Sequence, residues 1–139
     1  MQAPRDVLIV DDDEDTSSIL AECLRTEGYT VRVARNGALG LERLEERLPD
    51  VVVLDVEMPV LDGPGMAHRM FVEDCGKERI PIVLVSGAPA LPRIVERVGT
   101  PYCVRKPFDL ETVVAALARA LAEGISPVPA SARSAAPGA

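Results

Sequence analysis

The sequence predicts an α/β fold, a single doubly wound five-stranded parallel sheet with helices on both faces. Three observations carry that reading. Short runs of β-branched and aliphatic residues recur along the chain, apolar on both sides, as strands covered on both faces are. The intervening segments place apolar residues at helical spacing. The two kinds of segment alternate strictly, five of each, as successive βαβ units do.

The first run is Val7-Leu8-Ile9-Val10, followed by a helical stripe of Ile19, Leu20, Cys23 and Leu24 that stops at Gly28. Thr30 to Ala34 alternates apolar with polar, the pattern of an edge or half-covered strand. Leu39, Leu41, Leu44 and Leu48 form the next stripe, ended by Pro49. Val51-Val52-Val53-Leu54 is the third strand, and Gly63 to Cys75 the third helix. Ile82-Val83-Leu84-Val85 is the fourth strand, Leu91 to Val98 a short fourth helix, and Tyr102-Cys103-Val104 a weaker fifth strand. Leu110, Val113, Val114, Leu117 and Leu121 mark the last helix, with Asp109 at its N-cap position. Beyond Gly124, twelve of the fifteen residues from Ile125 to Ala139 are Pro, Ala, Ser or Gly, so this stretch is expected to be a disordered tail or a linker.

A chain of 139 residues buries one sizeable core. Its 22 acidic against 15 basic residues give a net charge of -7, which argues against direct nucleic-acid binding. No apolar stretch approaches the roughly 20 residues of a membrane span, and Met1 to Asp6 lacks an export-signal layout. A cytoplasmic protein with no membrane partner is expected. The three cysteines show no Cys-x-x-Cys pair, so reduced, mostly packed thiols are expected and a zinc site is not. With no Trp, two Tyr and two Phe, stacking platforms for bases are absent.

In an open parallel sheet, ligands bind beyond the carboxyl ends of the strands. The first strand here runs into Asp11-Asp12-Asp13-Glu14-Asp15, the third into Asp55-Val56-Glu57, the fourth into Ser86-Gly87 and the fifth into Arg105-Lys106-Pro107. Asp13, Glu14 and Asp15 suit the start of a helix. Asp11, Asp12 and Asp55 do not, and three carboxylates gathered on neighbouring strand ends demand a cation. A hard divalent ion such as Mg2+ fits carboxylate, carbonyl and water ligands, and Lys106 adds a point charge. Such a set suits phosphoryl transfer, with Asp55 as nucleophile and the Ser86 hydroxyl donating to a phosphoryl oxygen.

Val10-Asp11-Asp12-Asp13, Leu54-Asp55-Val56-Glu57-Met58-Pro59 with Leu61-Asp62-Gly63, Val85-Ser86-Gly87 and Lys106-Pro107-Phe108 together resemble the receiver domain of bacterial two-component response regulators. The resemblance runs from about Val7 to Leu121 and implies a receiver domain over residues 1–124, with the flavodoxin-like strand order 2-1-3-4-5. It implies Asp55 as phosphoacceptor and Mg2+ held by Asp11, Asp12, Asp55 and the Glu57 carbonyl. Ser86 and Lys106 would be the switch hydroxyl and the site lysine, with a cis Lys106-Pro107 bond. The implied chemistry is self-catalysed, Mg2+-dependent phosphorylation of Asp55 by a sensor histidine kinase or phosphotransfer protein, followed by slow self-hydrolysis. A downstream protein or an output domain would read the phosphorylated state.

Two departures bear on that output. Cys103 stands where the family usually carries an inward-swinging aromatic, and Tyr102 should face the opposite side of its strand. The stretch from Ser86 to Lys106 is short, with Pro89 and Pro92 at the entrance of the fourth helix, so a short, mobile helix is expected. The competing readings are weaker. An EF-hand over Asp11 to Glu22 has Thr16 where Gly is needed. An aspartate-nucleophile phosphatase would use Glu57 as its second acid but lacks a cap domain. A dinucleotide site lacks its glycines, and Ser86 lacks a nucleophile elbow. His68, Arg93, Arg97 and Arg105 read as solvated surface, Met58 and Pro59 as turn and packing. The remaining alternative is a receiver-fold scaffold or adaptor that acts without phosphorylation.

Overall fold

The structure, a computed structural model, describes residues 4–73, 75–87 and 91–130. Five strands, β1 (Asp6–Val10), β2 (Thr30–Ala34), β3 (Val51–Asp55), β4 (Ile82–Ser86) and β5 (Tyr102–Arg105), form one parallel sheet in the order β2-β1-β3-β4-β5. The helices are α1 (Glu14–Thr26), α2 (Gly37–Glu46), α3 (Gly63–Glu73), α4 (Leu91–Val98) and α5 (Leu110–Glu123), with a 3-10 turn at Lys77–Arg79. The doubly wound parallel sheet expected from the alternation is therefore the observed fold.

Alternation along each strand builds two cores. Val7, Ile9, Val51, Val53, Val83, Val85 and Val104 point to one face and pack with Leu20 and Leu24 of α1 and Val113, Leu117 and Ala120 of α5. Leu8, Val10, Val52, Leu54, Ile82 and Leu84 point to the other, against Leu44 of α2, Met66 and Met70 of α3 and Val98 of α4. Fully burying one such aliphatic side chain stabilises by about 1.5–3 kcal/mol, so the three central strands supply a large share of the driving force. They are apolar throughout because both faces are covered.

Several expectations need correction. Ile19, read as part of the buried stripe of α1, is 57% exposed, because Ser17, Leu20, Ala21 and Leu24 make up the buried face of that helix. Cys75 and Cys103 are exposed and only Cys23 is partly covered, so the thiols are not mostly packed. Leu48, assigned to the stripe of α2, is 46% exposed because the helix stops at Glu46. Asp109 occupies the N-cap position of α5 but makes no capping hydrogen bond through its side chain. Tyr102 is buried while Cys103 is exposed, as strand alternation requires. Helix α4 has eight residues and begins with Pro92 in its first turn, where a missing N–H costs nothing; Pro89 lies outside the described residues.

Charged pairs tie the ends of the elements. At the amino end of the sheet, Asp6 binds Arg32 at 3.0 Å and Arg47 at 3.1 Å, and Arg32 also donates to the carbonyls of Arg43 and Arg47 at the end of α2. Lys77, 3% exposed, bridges Glu45 of α2 and Glu73 of α3. All of this lies away from the carboxyl rim of the sheet.

Candidate functional site

Four strand ends build the rim. After β1, the Asp11 N–H donates to the Ala34 carbonyl at 3.0 Å, and Asp11 Oδ1 accepts from the Asp13 N–H at 2.9 Å. Asp13 is the N-cap of α1 and accepts from the Asp15 N–H, the helix-start role expected for it. Its hydrogen bond from the Thr16 hydroxyl holds the Asp13 carboxyl below its usual pKa.

Asp55 ends β3 as its last buried residue, 5% exposed. The next residue keeps the sheet bond, with the Val56 N–H donating to the Val85 carbonyl at 3.1 Å, and the chain then turns through Met58 and Pro59 into α3. Gly63 closes that turn: its N–H donates to the Val56 carbonyl at 2.9 Å, and a Cβ there would stand 2.4 Å from the Asp55 carbonyl oxygen. Only glycine lets α3 start so close to the backbone of Asp55. Val60, in the same loop, has φ 69°, a left-handed conformation that β-branched residues disfavour.

Ser86, fully buried, ends β4 beside Asp55, whose register partner is Val85. Its carbonyl accepts from the Lys106 N–H at 2.9 Å, which fixes the root of the lysine, and the Lys106-Pro107 bond that follows is cis. Lys106 Nζ lies 3.4 Å from Asp55 Oδ1 and 3.5 Å from Asp11 Oδ2. Carboxylate oxygens of Asp11, Asp12 and Asp55 all fall within 4.8 Å of one another. The Glu57 side chain is exposed and takes no part in that acidic group.

Magnitudes decide what these charges do. At the effective dielectric of a protein surface, each pair of like charges at such spacing repels by about 3–4 kcal/mol, and each lysine contact attracts by about 5. The Coulomb contributions nearly cancel, so burial tips the balance. Burial first, then the Asp11 charge, push the Asp55 carboxyl up to about 6 despite Lys106. Burial would lower the Lys106 ammonium, but Asp55 and Asp11 outweigh it and hold its pKa above the ordinary value. Three clustered carboxylates, two of them paired with the Lys106 ammonium, offer oxygen donors that fit a hard divalent cation.

Beside Lys106 lies an apolar hollow of about 520 Å³, lined by Thr16 and Ile19 of α1 and by Pro107, Phe108 and Leu110. The sequence reading missed it, since Ile19 had been counted into the core; a second apolar residue beside the buried stripe of α1 was the available signal. The six residues singled out from the sequence thus take three different places. Asp11, Asp12, Asp55 and Lys106 converge at one point, Ser86 adjoins them on the next strand, and Glu57 enters only through the loop that carries its carbonyl.

The chain belongs to the response regulator receiver domain family, whose model matches residues 7–118. It is 35% identical over 117 residues to the transcriptional regulatory protein PrrA of Mycobacterium leprae, covering 83% of this chain and 48% of PrrA. It is 32% identical to the regulatory protein AtoC of Escherichia coli, covering 87% of this chain and 26% of AtoC. The chain thus spans about half or less of these relatives. Among solved structures, a putative response regulator from Chloroflexus aurantiacus superposes with a TM-score of 0.79 at 30% identity, covering 86% of this chain and 98% of that one. NtrX from Brucella abortus, in complex with ATP, gives 0.78 at 28% identity, covering 88% of this chain and 28% of NtrX. No described helix is long and apolar enough to cross a membrane.

Proposed function

We propose that the chain is the phosphoacceptor switch of a two-component phosphorelay, with Asp55 as the residue phosphorylated. The observation that carries this reading is a buried carboxylate held 3.4 Å from an ammonium within a cluster of three acids at a strand-end rim. A buried aspartate pushed up to about 6 is still mostly ionised at neutral pH, so no general base is needed.

Asp11, Asp12 and Asp55, with the Glu57 carbonyl, would hold Mg2+, which when bound neutralises charge on the phosphoryl oxygens. Asp55 attacks phosphorus as the bond from phosphorus to the donor imidazole nitrogen breaks. The bonding pair stays on that nitrogen, and the ring takes one proton from solvent so that it leaves as neutral imidazole. Lys106 then faces a phosphoryl oxygen in place of the bare carboxylate, and the Ser86 hydroxyl donates to another. In the return step water attacks phosphorus, the acyl phosphate bond breaks, inorganic phosphate leaves and the Asp55 carboxylate is restored. The donor is a phosphohistidine on a sensor kinase or phosphotransfer protein, and the hollow between Ile19 and Phe108 is the apolar ground beside Lys106 on which such a donor would rest. The setting is cytoplasmic. A downstream protein or output domain, by analogy with the transcriptional regulators among the relatives, receives the signal.

The second reading is a scaffold that works unphosphorylated, favoured by the exposed Cys103 in place of an inward aromatic. Incubation with Mg2+ and acetyl phosphate, read by intact mass, separates the two. The switch gains one phosphoryl group and loses that gain in Asp55→Asn; the scaffold gains none.

A further inference from the structure

The stretch after Gly124 was expected to be a tail or linker, yet its described part, residues 125–130, lies against the body of the protein. Its root is anchored by Tyr102, whose hydroxyl donates to Glu123 Oε1 at 2.9 Å while the Arg119 guanidinium sits 5.4 Å from the ring centroid. From there the chain crosses to the loop between α4 and β5. The Val128 N–H donates to the Gly99 carbonyl at 3.1 Å, Pro127 and Pro129 are buried, and Ile125 and Val128 face outward. The approach at Gly99 is very close. A Cβ on Gly99, whose φ is +80°, would fall 1.8 Å from the Val128 carbonyl oxygen, so the seat exists only because residue 99 is glycine.

Pro129 forms one wall of a groove of about 250 Å³ between α3 and α4, whose other walls include Pro64, Ala67 and His68 of α3 and Arg97 and Val98 of α4. Composition explains why so short a segment can seat itself. Ser126 and Val128 each precede a proline and are biased to extended backbone, while Pro127 and Pro129 have φ already set. Little conformational freedom remains to be lost on docking. The place of docking also matters. Helix α4 is short, and the loop at Gly99 lies within the stretch of chain that joins Ser86 to Lys106.

We propose that residues 125–130 form an intramolecular strap, an extended proline-bearing segment that walls the groove between α3 and α4 and holds the fourth helix in place. The proposal goes beyond the phosphoacceptor reading and does not depend on it. The strap restrains the short helix that leads from β4 to β5, and it covers apolar surface of α3 and α4.

Hydrogen exchange by NMR on the full 139-residue chain tests it. In the parent protein the Val128 amide is protected independently of protein concentration. In Val128→Pro, which removes the donor to Gly99, the Gly99 amide at the end of α4 exchanges about tenfold faster, while the Leu8 and Ile9 amides of β1 keep their protection. Pro129→Asp, a second and independent lesion, gives the same pattern, and both variants raise the fluorescence of an added naphthalene sulfonate dye. An unprotected Val128 amide in the parent, or unchanged Gly99 exchange in both variants, overturns the proposal. So does Val128 protection that appears only at high protein concentration, which would place a second copy's segment in the groove.

Discussion

Asp55 carries two opposed demands, since it must stay ionised to act as a nucleophile yet sits buried among other acids. Its pKa, raised by burial and by Asp11 to about 6, sets a pH signature. Between the ordinary carboxylate value and about 6 the folded chain binds a proton that the unfolded chain has lost, so stability falls as pH rises through that window. Asp55→Asn flattens the fall and stabilises the metal-free chain at pH 7 by about 1–2 kcal/mol, as denaturant midpoints at pH 4.5 and pH 7 would show. Val60 is a second residue under tension. Its φ of 69° costs a β-branched side chain about 1–2 kcal/mol. Val60→Gly should therefore raise the unfolding midpoint by a comparable amount, and an unchanged midpoint would show that the loop relaxes without strain. The exposed Cys75 and Cys103 should react with iodoacetamide in the native protein well before Cys23, as peptide mass mapping would show.

At the scale of the element, the strands were the most legible part of the chain. Val7 to Val10, Val51 to Leu54 and Ile82 to Val85 are apolar without interruption because both sheet faces are covered, and no other element leaves that mark. Helix faces were read less well. Ile19 and Leu48 obey the helical period yet lie exposed, because an apolar side chain beside the buried stripe looks the same in sequence as one within it. The clasp between β5 and α5 was invisible for a different reason. The bond from Tyr102 to Glu123 spans 21 residues and depends on where α5 ends over the strand. Tyr102→Phe should cost about 1 kcal/mol in thermal or chemical unfolding, the net worth of one hydrogen bond with a charged acceptor partly open to water. A loss near zero would mean that Glu123 is held by Arg119 alone. The segment beyond α5 was read from composition as a tail or linker, and the prolines that mark such a chain as unable to fold by itself also make it inexpensive to dock, as the proposed strap requires.

For the whole molecule, the site was legible because it is made of strand ends. Once the order β2-β1-β3-β4-β5 is in place, Asp11, Asp12, Asp55, Ser86 and Lys106 come to one rim through topology alone, although up to 95 residues separate them in sequence. The distances within the rim could not be read in advance. They depend on Gly63 bringing α3 against the Asp55 backbone and on the Ser86 carbonyl holding the Lys106 N–H. The same topology predicts a response to cations. At pH 7, millimolar Mg2+ should raise the unfolding temperature of the parent chain, because an ion bound only by the folded state stabilises it by mass action. The shift should shrink in Asp12→Asn and be absent in the Asp11→Asn, Asp12→Asn double variant; an equal shift in all three would place the ion elsewhere. The account as a whole rests on an acyl phosphate forming on one particular carboxylate. Reduction with borohydride after treatment with acetyl phosphate and Mg2+ converts such an aspartyl phosphate to homoserine, which peptide mass mapping locates. The account predicts homoserine at position 55 and nowhere else, abolished when the cation is chelated beforehand. Homoserine at another aspartate, or at none, would contradict it.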